Sequence, residues 1–124
     1  ITINASGTAF NTSSDYRLKE NESLISDGIT RLKTLKPYRF NFKTEPDTTV
    51  DGFFAHEVSS IVPEAITGTK DATETYTDDN GDEQTKIKPQ SIDQSKLVPL
   101  LTAALKESIT KIEALEARVT TLEG

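Results

Sequence analysis

Asp78, Asn80 and Asp82 alternate along a short acidic run, the spacing with which the first half of an EF-hand loop presents oxygen ligands to calcium. The place that needs glycine for the sharp turn of such a loop carries Glu83, and no helical pattern flanks the run. An acidic hairpin is therefore the expected structure. Asp79-Asn80-Gly81-Asp82 is itself a tight-turn signal, set between short β segments at 75–77 and 85–87. The single histidine, His56, excludes a multi-histidine zinc site within one chain, although three copies on a threefold axis would bring three imidazoles together. Cysteine is absent, which removes disulfides, thiolate metal sites and a cysteine nucleophile. No metal or other cofactor is expected. Covalent chemistry is left to hydroxyls and amines. A serine hydroxyl is a poor nucleophile unless a neighbouring base removes its proton. A lysine serves as that base only where desolvation or nearby positive charge favours its neutral form.

The elements that would position such groups must be drawn from 124 residues, enough for one compact domain and too few for two ordinary ones. Only 34% of the residues are hydrophobic, and Trp and Met are absent. So thin a stock suggests that part of the apolar surface is buried between chains. The formal net charge is -6, from 20 acidic and 14 basic residues. Lys33, Lys36, Arg39 and Lys43 are dispersed rather than clustered, which argues against a nucleic-acid partner and against an anionic membrane surface. No stretch reaches the length of a membrane span. The chain begins at Ile1 rather than Met, as expected for a fragment of a longer polypeptide.

Ile1 and Ile3 alternate with Thr2 and Asn4 as in a half-buried strand, and Thr8, Ala9 and Phe10 suggest another beyond Gly7. Leu18, Leu24 and Ile25 are the expected anchors of a charged segment over 14–25. Asp27 is placed to N-cap a helix with apolar positions Ile29, Leu32 and Leu35, which Pro37 stops. Tyr38, Phe40 and Phe42 alternate with Arg39, Asn41 and Lys43, the clearest strand pattern in the chain. Residues 51–58 read as a short buried strand entering a helical turn that Pro63 ends.

Toward the C-terminus, Val98, Leu101, Leu105, Ser108, Ile112, Leu115, Val119 and Leu122 are separated alternately by three and four residues. That is an a/d heptad seam interrupted only by Ser108. A stripe this narrow is more typical of helices pairing with copies of themselves than of a helix lying on a sheet. Mixed Leu, Ile and Val at a and d leave two and three strands both open.

Four stretches in order resemble the intramolecular chaperone domains at the C-terminal ends of phage tailspikes and tail fibres, a type also found in myelin regulatory factor proteins. Ser14-Asp15-Tyr16-Arg17-Leu18-Lys19-Glu20-Asn21 is similar to the family's S-D-x-R-x-K-x-N opening, and Leu35-Lys36-Pro37-Tyr38-Arg39-Phe40-Asn41 to its L-x-P-x-x-F block. Gly52-Phe53-Phe54-Ala55-His56-Glu57-Val58, with Val62-Pro63-Glu64, resembles its G-F-x-A-x-E-V…P-E block. Residues 92–101, Ile92 to Leu101, resemble the last block, which leads into a coiled coil. The likeness spans residues 14–124.

The resemblance implies an α+β fold, a small mixed domain over 14–92 followed by a helix over 93–124 that forms a trimeric coiled coil. Residues 1–13 would be the end of the client fibre or tailspike, which the homotrimer brings into register. It further implies self-cleavage between Ser13 and Ser14 by a Ser–Lys dyad, with Ser14 the nucleophile and Lys19 the general base. His56, at the variable place of its block, is assigned an assisting role. Arg17 is the expected source of positive charge near the dyad. The setting implied is the host cytoplasm during phage assembly, with release from the mature virion fibre after cutting. Spacing alone does not define the dyad: residues five apart point to opposite faces of a strand and stand well apart around a helix. Ser14 and Lys19 can meet only through a turn or between neighbouring chains. The competing reading is a trimerisation cap that stays attached, in which both are ordinary surface residues. A receptor-binding tip ranks below it, because a coiled coil poor in aromatic residues offers little hot-spot surface.

Overall fold

The computed structural model describes residues 13–124 and, before them, the backbone of two short strands. These strands, β1 (Thr2–Ile3) and β2 (Phe10–Asn11), pair antiparallel. The first lies where alternation predicts it and the second begins at Phe10; the remainder of the expected strands at 1–4 and 8–10 lies outside the described residues.

A single 3-10 turn, Tyr16–Leu18, interrupts the otherwise irregular segment up to Asp27. Leu18 and Leu24 do not anchor it within the chain: they are 76% and 94% exposed. Helix α1 (Gly28–Leu32) follows. Asp27 makes no side-chain cap bond there; its carboxylate instead stands 3.7 Å from Arg31. The cap comes from elsewhere in the chain. Glu107 accepts the Gly28 and Ile29 N–H groups at 2.9 and 2.8 Å, meeting two of the donors that a helix start leaves unpaired.

Strand β3 (Tyr38–Phe40) pairs antiparallel with β4 (Val50–Gly52). The alternation predicted through Lys43 stops earlier in the backbone, because Phe42 turns over to bond Glu45. Gly52 sits beneath the Phe40 ring, where an added Cβ would lie 3.0 Å from the ring edge. Helix α2 (Ala55–Ser59) and a 3-10 turn, Pro63–Ala65, come next, with Pro63 in the first turn where its missing N–H costs nothing. Strand β5 (Ile66–Thr67) pairs with β8 (Ser91–Ile92), closing the long excursion between them.

That excursion is the predicted acidic hairpin, β6 (Thr73–Thr77) against β7 (Glu83–Ile87), with every strand residue exposed. Gly81 takes the left-handed conformation at φ 81° that the turn demands. Asp78 uses one carboxylate oxygen to accept the N–H groups of Asn80 and Asp82, and the other to accept Gln84, so its oxygens serve the turn itself.

A 3-10 turn, Gln94–Leu97, leads into helix α3 (Val98–Glu123), about 39 Å long at 1.5 Å per residue. Pro99 lies in its first turn, so the helix starts without a kink. The core is small: Val58, Val62, Ala65, Leu97 and Leu100, with Leu35, Phe53, Ile61, Ile66 and Ile92 packed around it. Each fully buried Val or Leu contributes about 1.5–3 kcal/mol. Only the start of α3 takes part. Leu100 and Ala104 are buried, and a Cβ on Gly28 would stand 2.6 Å from the Ala104 nitrogen, so α1 and α3 touch backbone to backbone. Beyond Ser108 every residue of α3 is exposed. No helix of the described residues is long and apolar enough to cross a membrane.

Candidate functional site

The 3-10 turn at Tyr16–Leu18 resolves how residues five apart can meet. Asp15 caps it: its Oδ1 accepts the Arg17 backbone N–H at 2.9 Å, while the Arg17 guanidinium grips both carboxylate oxygens, Nε at 3.0 Å and Nη2 at 2.7 Å. The backbone N–H groups of Leu18 and Lys19 donate to the carbonyls of Asp15 and Tyr16. Lys19 leaves the turn in extended conformation. The reversal brings its Nζ to 2.7 Å from Ser14 Oγ, both side chains being open to solvent. The meeting is made within one chain, by a turn.

The clamp also alters what Arg17 does. Its charge was expected to act on the Lys19 amine, but it is taken up by Asp15. Arg17 holds the Asp15 carboxyl below its usual range, chiefly through the side-chain bond and then the backbone one, and the guanidinium is stabilised as a cation in turn.

Ser13, Ser14 and Lys19 form one side of an open cleft of about 720 Å³. Its other walls come from distant elements. Arg31 projects from α1, and Ser95 and Lys96 from the 3-10 turn before α3. Val62, Leu100 and Pro99 line its apolar side. Arg31 is fixed by donating from Nη2 to the Ile61 carbonyl at 2.8 Å. Sequence reasoning singled out neither Arg31 nor Lys96; Lys96 lies inside the last motif block, and Arg31 carries no motif signal.

His56 lies elsewhere in the chain. It sits on α2, stacked on Phe54 with ring centroids 6.2 Å apart, and lines a different cleft with Thr34, Lys36, Glu57, Ser60 and Ile61. Glu57 Oε2 accepts the Tyr38 hydroxyl at 3.4 Å, whereas Oε1 is buried without a hydrogen-bond partner among the described residues. Burial first, and then the Glu57 carboxylate, push the Tyr38 hydroxyl pKa up.

A small α+β body whose chain doubles back to seat a lysine on a serine, with a long helix running off it, defines the class: a small mixed domain with an exposed hydroxyl–amine pair. Residues 14–67, less than half of the chain, match the family model described as chaperone of endosialidase, Peptidase S74. It is a family of intramolecular chaperones acting on fibre and tailspike clients, and one that implies self-cleaving serine peptidase activity. The matched segment begins at Ser14 and ends with β5. No curated protein matches the chain.

Proposed function

We propose that this chain is an intramolecular chaperone that trimerises, holds an upstream phage fibre or tailspike in register, and then cuts itself free between Ser13 and Ser14. The observation that carries the reading is the 2.7 Å separation of Lys19 Nζ and Ser14 Oγ, directly beside Ser13 in one cleft. Lys19, as general base, takes the Ser14 hydroxyl proton, and Oγ attacks the Ser13 carbonyl carbon. The carbonyl electron pair moves onto oxygen. When the tetrahedral species collapses, the bond to the Ser14 nitrogen breaks and that nitrogen takes the proton back from Lys19. Because nucleophile and leaving group belong to the same residue, the product of this step is an ester on Ser14 Oγ. Water then attacks the ester, leaving a Ser13 carboxylate and restoring the Ser14 hydroxyl. The setting is the host cytoplasm during assembly, and the cut domain leaves the mature fibre.

Trimerisation is supported by an apolar ridge that no other element covers among the described residues. Leu105, Ile112, Leu115, Val119 and Leu122 are at least half exposed along one side of α3, a patch of the kind that marks an interaction surface. Ile109, also exposed, flanks Ser108 and supplies the apolar surface missing at the seam's one polar position.

Mass spectrometry of freshly folded protein tests the cutting. A fragment beginning at Ser14 is expected, Ser14→Ala abolishes it, and hydroxylamine, which attacks esters, speeds it while capping Ser13 as a hydroxamate. An intact chain under every condition would instead favour a cap that stays attached.

A further inference from the structure

The protein is acidic overall, with a net charge of -6, yet among the described residues the Ser14 cleft is lined by Lys19, Arg31 and Lys96 against one carboxylate, Glu64. These three basic side chains are not equivalent. Lys19 is bonded to Ser14 Oγ. Arg31 is held by the Ile61 carbonyl, and its Nη1 lies 3.7 Å from Asp27. Lys96 enters no ion pair among the described residues. It is half-buried, and its backbone N–H donates to the Asp93 carbonyl within the 3-10 turn that precedes α3. The Asp93 carboxylate accepts the N–H and hydroxyl of Ser95.

We propose that Lys96 supplies the positive charge that stabilises the oxyanion formed on the Ser13 carbonyl oxygen. The inference rests on the self-cleavage reading above and names a residue which that reading does not require. Negative charge appears on this oxygen twice, when Ser14 Oγ attacks and again when water attacks the ester. It persists in the Ser13 carboxylate that remains. A cation placed beforehand at the edge of a partly apolar cleft needs little reorganisation as that charge develops, and the apolar wall of Val62, Pro99 and Leu100 strengthens its field. The role is one of charge, so arginine serves in place of lysine and a neutral side chain of equal length does not.

The test is the single-turnover rate of cutting in the full chain, followed by intact mass, for wild type, Lys96→Met, Lys96→Gln and Lys96→Arg. Oligomer mass and melting temperature are measured for each substitution in a Ser14→Ala background. Expected are assembly like that of Ser14→Ala alone, a loss of about 100-fold in rate for the two neutral variants, and a rate within a few-fold of wild type for Lys96→Arg. Neutral variants that cut at the wild-type rate overturn the inference, as does an arginine variant as slow as the neutral ones. A wild-type chain that never cuts overturns the self-cleavage reading and this inference with it.

Discussion

Asp15 and Arg17 show how a motif can be read for its chemistry and still have its roles misassigned. In S-D-x-R-x-K the serine and lysine stand at the two ends, and between them the carboxylate and guanidinium build the turn that brings those ends together. Such charge-assisted, bidentate bonds give direction as well as energy. Asp15→Ala removes the cap and the clamp together, so Lys19 is no longer held against Ser14. Cutting, measured by intact mass, should slow about 10- to 100-fold, since small misplacements of reacting groups are costly, while the oligomer mass is unchanged. Asp15→Asn keeps an acceptor for the Arg17 backbone N–H and should lose less. Equal rates for Asp15→Ala and wild type would mean that something other than this turn aligns the pair.

Glu107 joins two elements that the chain separates by 79 residues. A five-residue helix such as α1 is too short to persist alone. It is kept by the close approach of Gly28 to Ala104 and by one carboxylate that receives both of its leading N–H groups. Those two backbone bonds, Ile29 first and Gly28 second, hold the Glu107 carboxyl below its ordinary value of 4.5. A carboxyl that is more acidic in the folded state stabilises the fold fully above its unfolded value, and the contribution disappears as pH falls through the folded one. Glu107→Gln, with one acceptor oxygen left, should therefore melt at a lower temperature than wild type at pH 7. The gap should narrow on acidification to about pH 3, below the ordinary carboxylate range. A gap that stays constant from pH 7 to pH 3 would show that shape rather than charge makes the cap.

Across the whole molecule, the small core and the bare ridge on α3 are two sides of one shortage. Five buried apolar residues cluster as the core, with Ala104 buried apart from them on α3, while a comparable set lies open along the helix. Burying that ridge against copies of itself would add the apolar contact that a single chain lacks. Replacing Ile112 and Leu115 together with Asp places like charges in the proposed seam, and light scattering should find a trimer for wild type and a monomer for the variant. Where cutting depends on assembly, the monomer also cuts slowly, so that only registered fibres are released. A double variant that remains trimeric would move the interface away from α3, and a monomer that cuts at the trimer's rate would remove the checkpoint.

Signals carried by neighbouring residues were legible in the sequence: the acidic hairpin around Gly81, the stop at Pro37, the helical period of α3 and the three motif blocks that lie within residues 14–67. Turn chemistry and helical periodicity are local properties, written into residues a few places apart. The hydroxyl–amine distance is not written in the sequence, because five-residue spacing permits contact only through a particular turn, and that turn depends on where the Asp15 and Arg17 side chains point. Glu107 on the end of α1, Arg31 and Lys96 beside Ser14, and His56 in a separate cleft belonged to the tertiary structure alone. Contacts between distant segments leave no period in the chain, since packing, and not spacing, decides which side chains share a cleft.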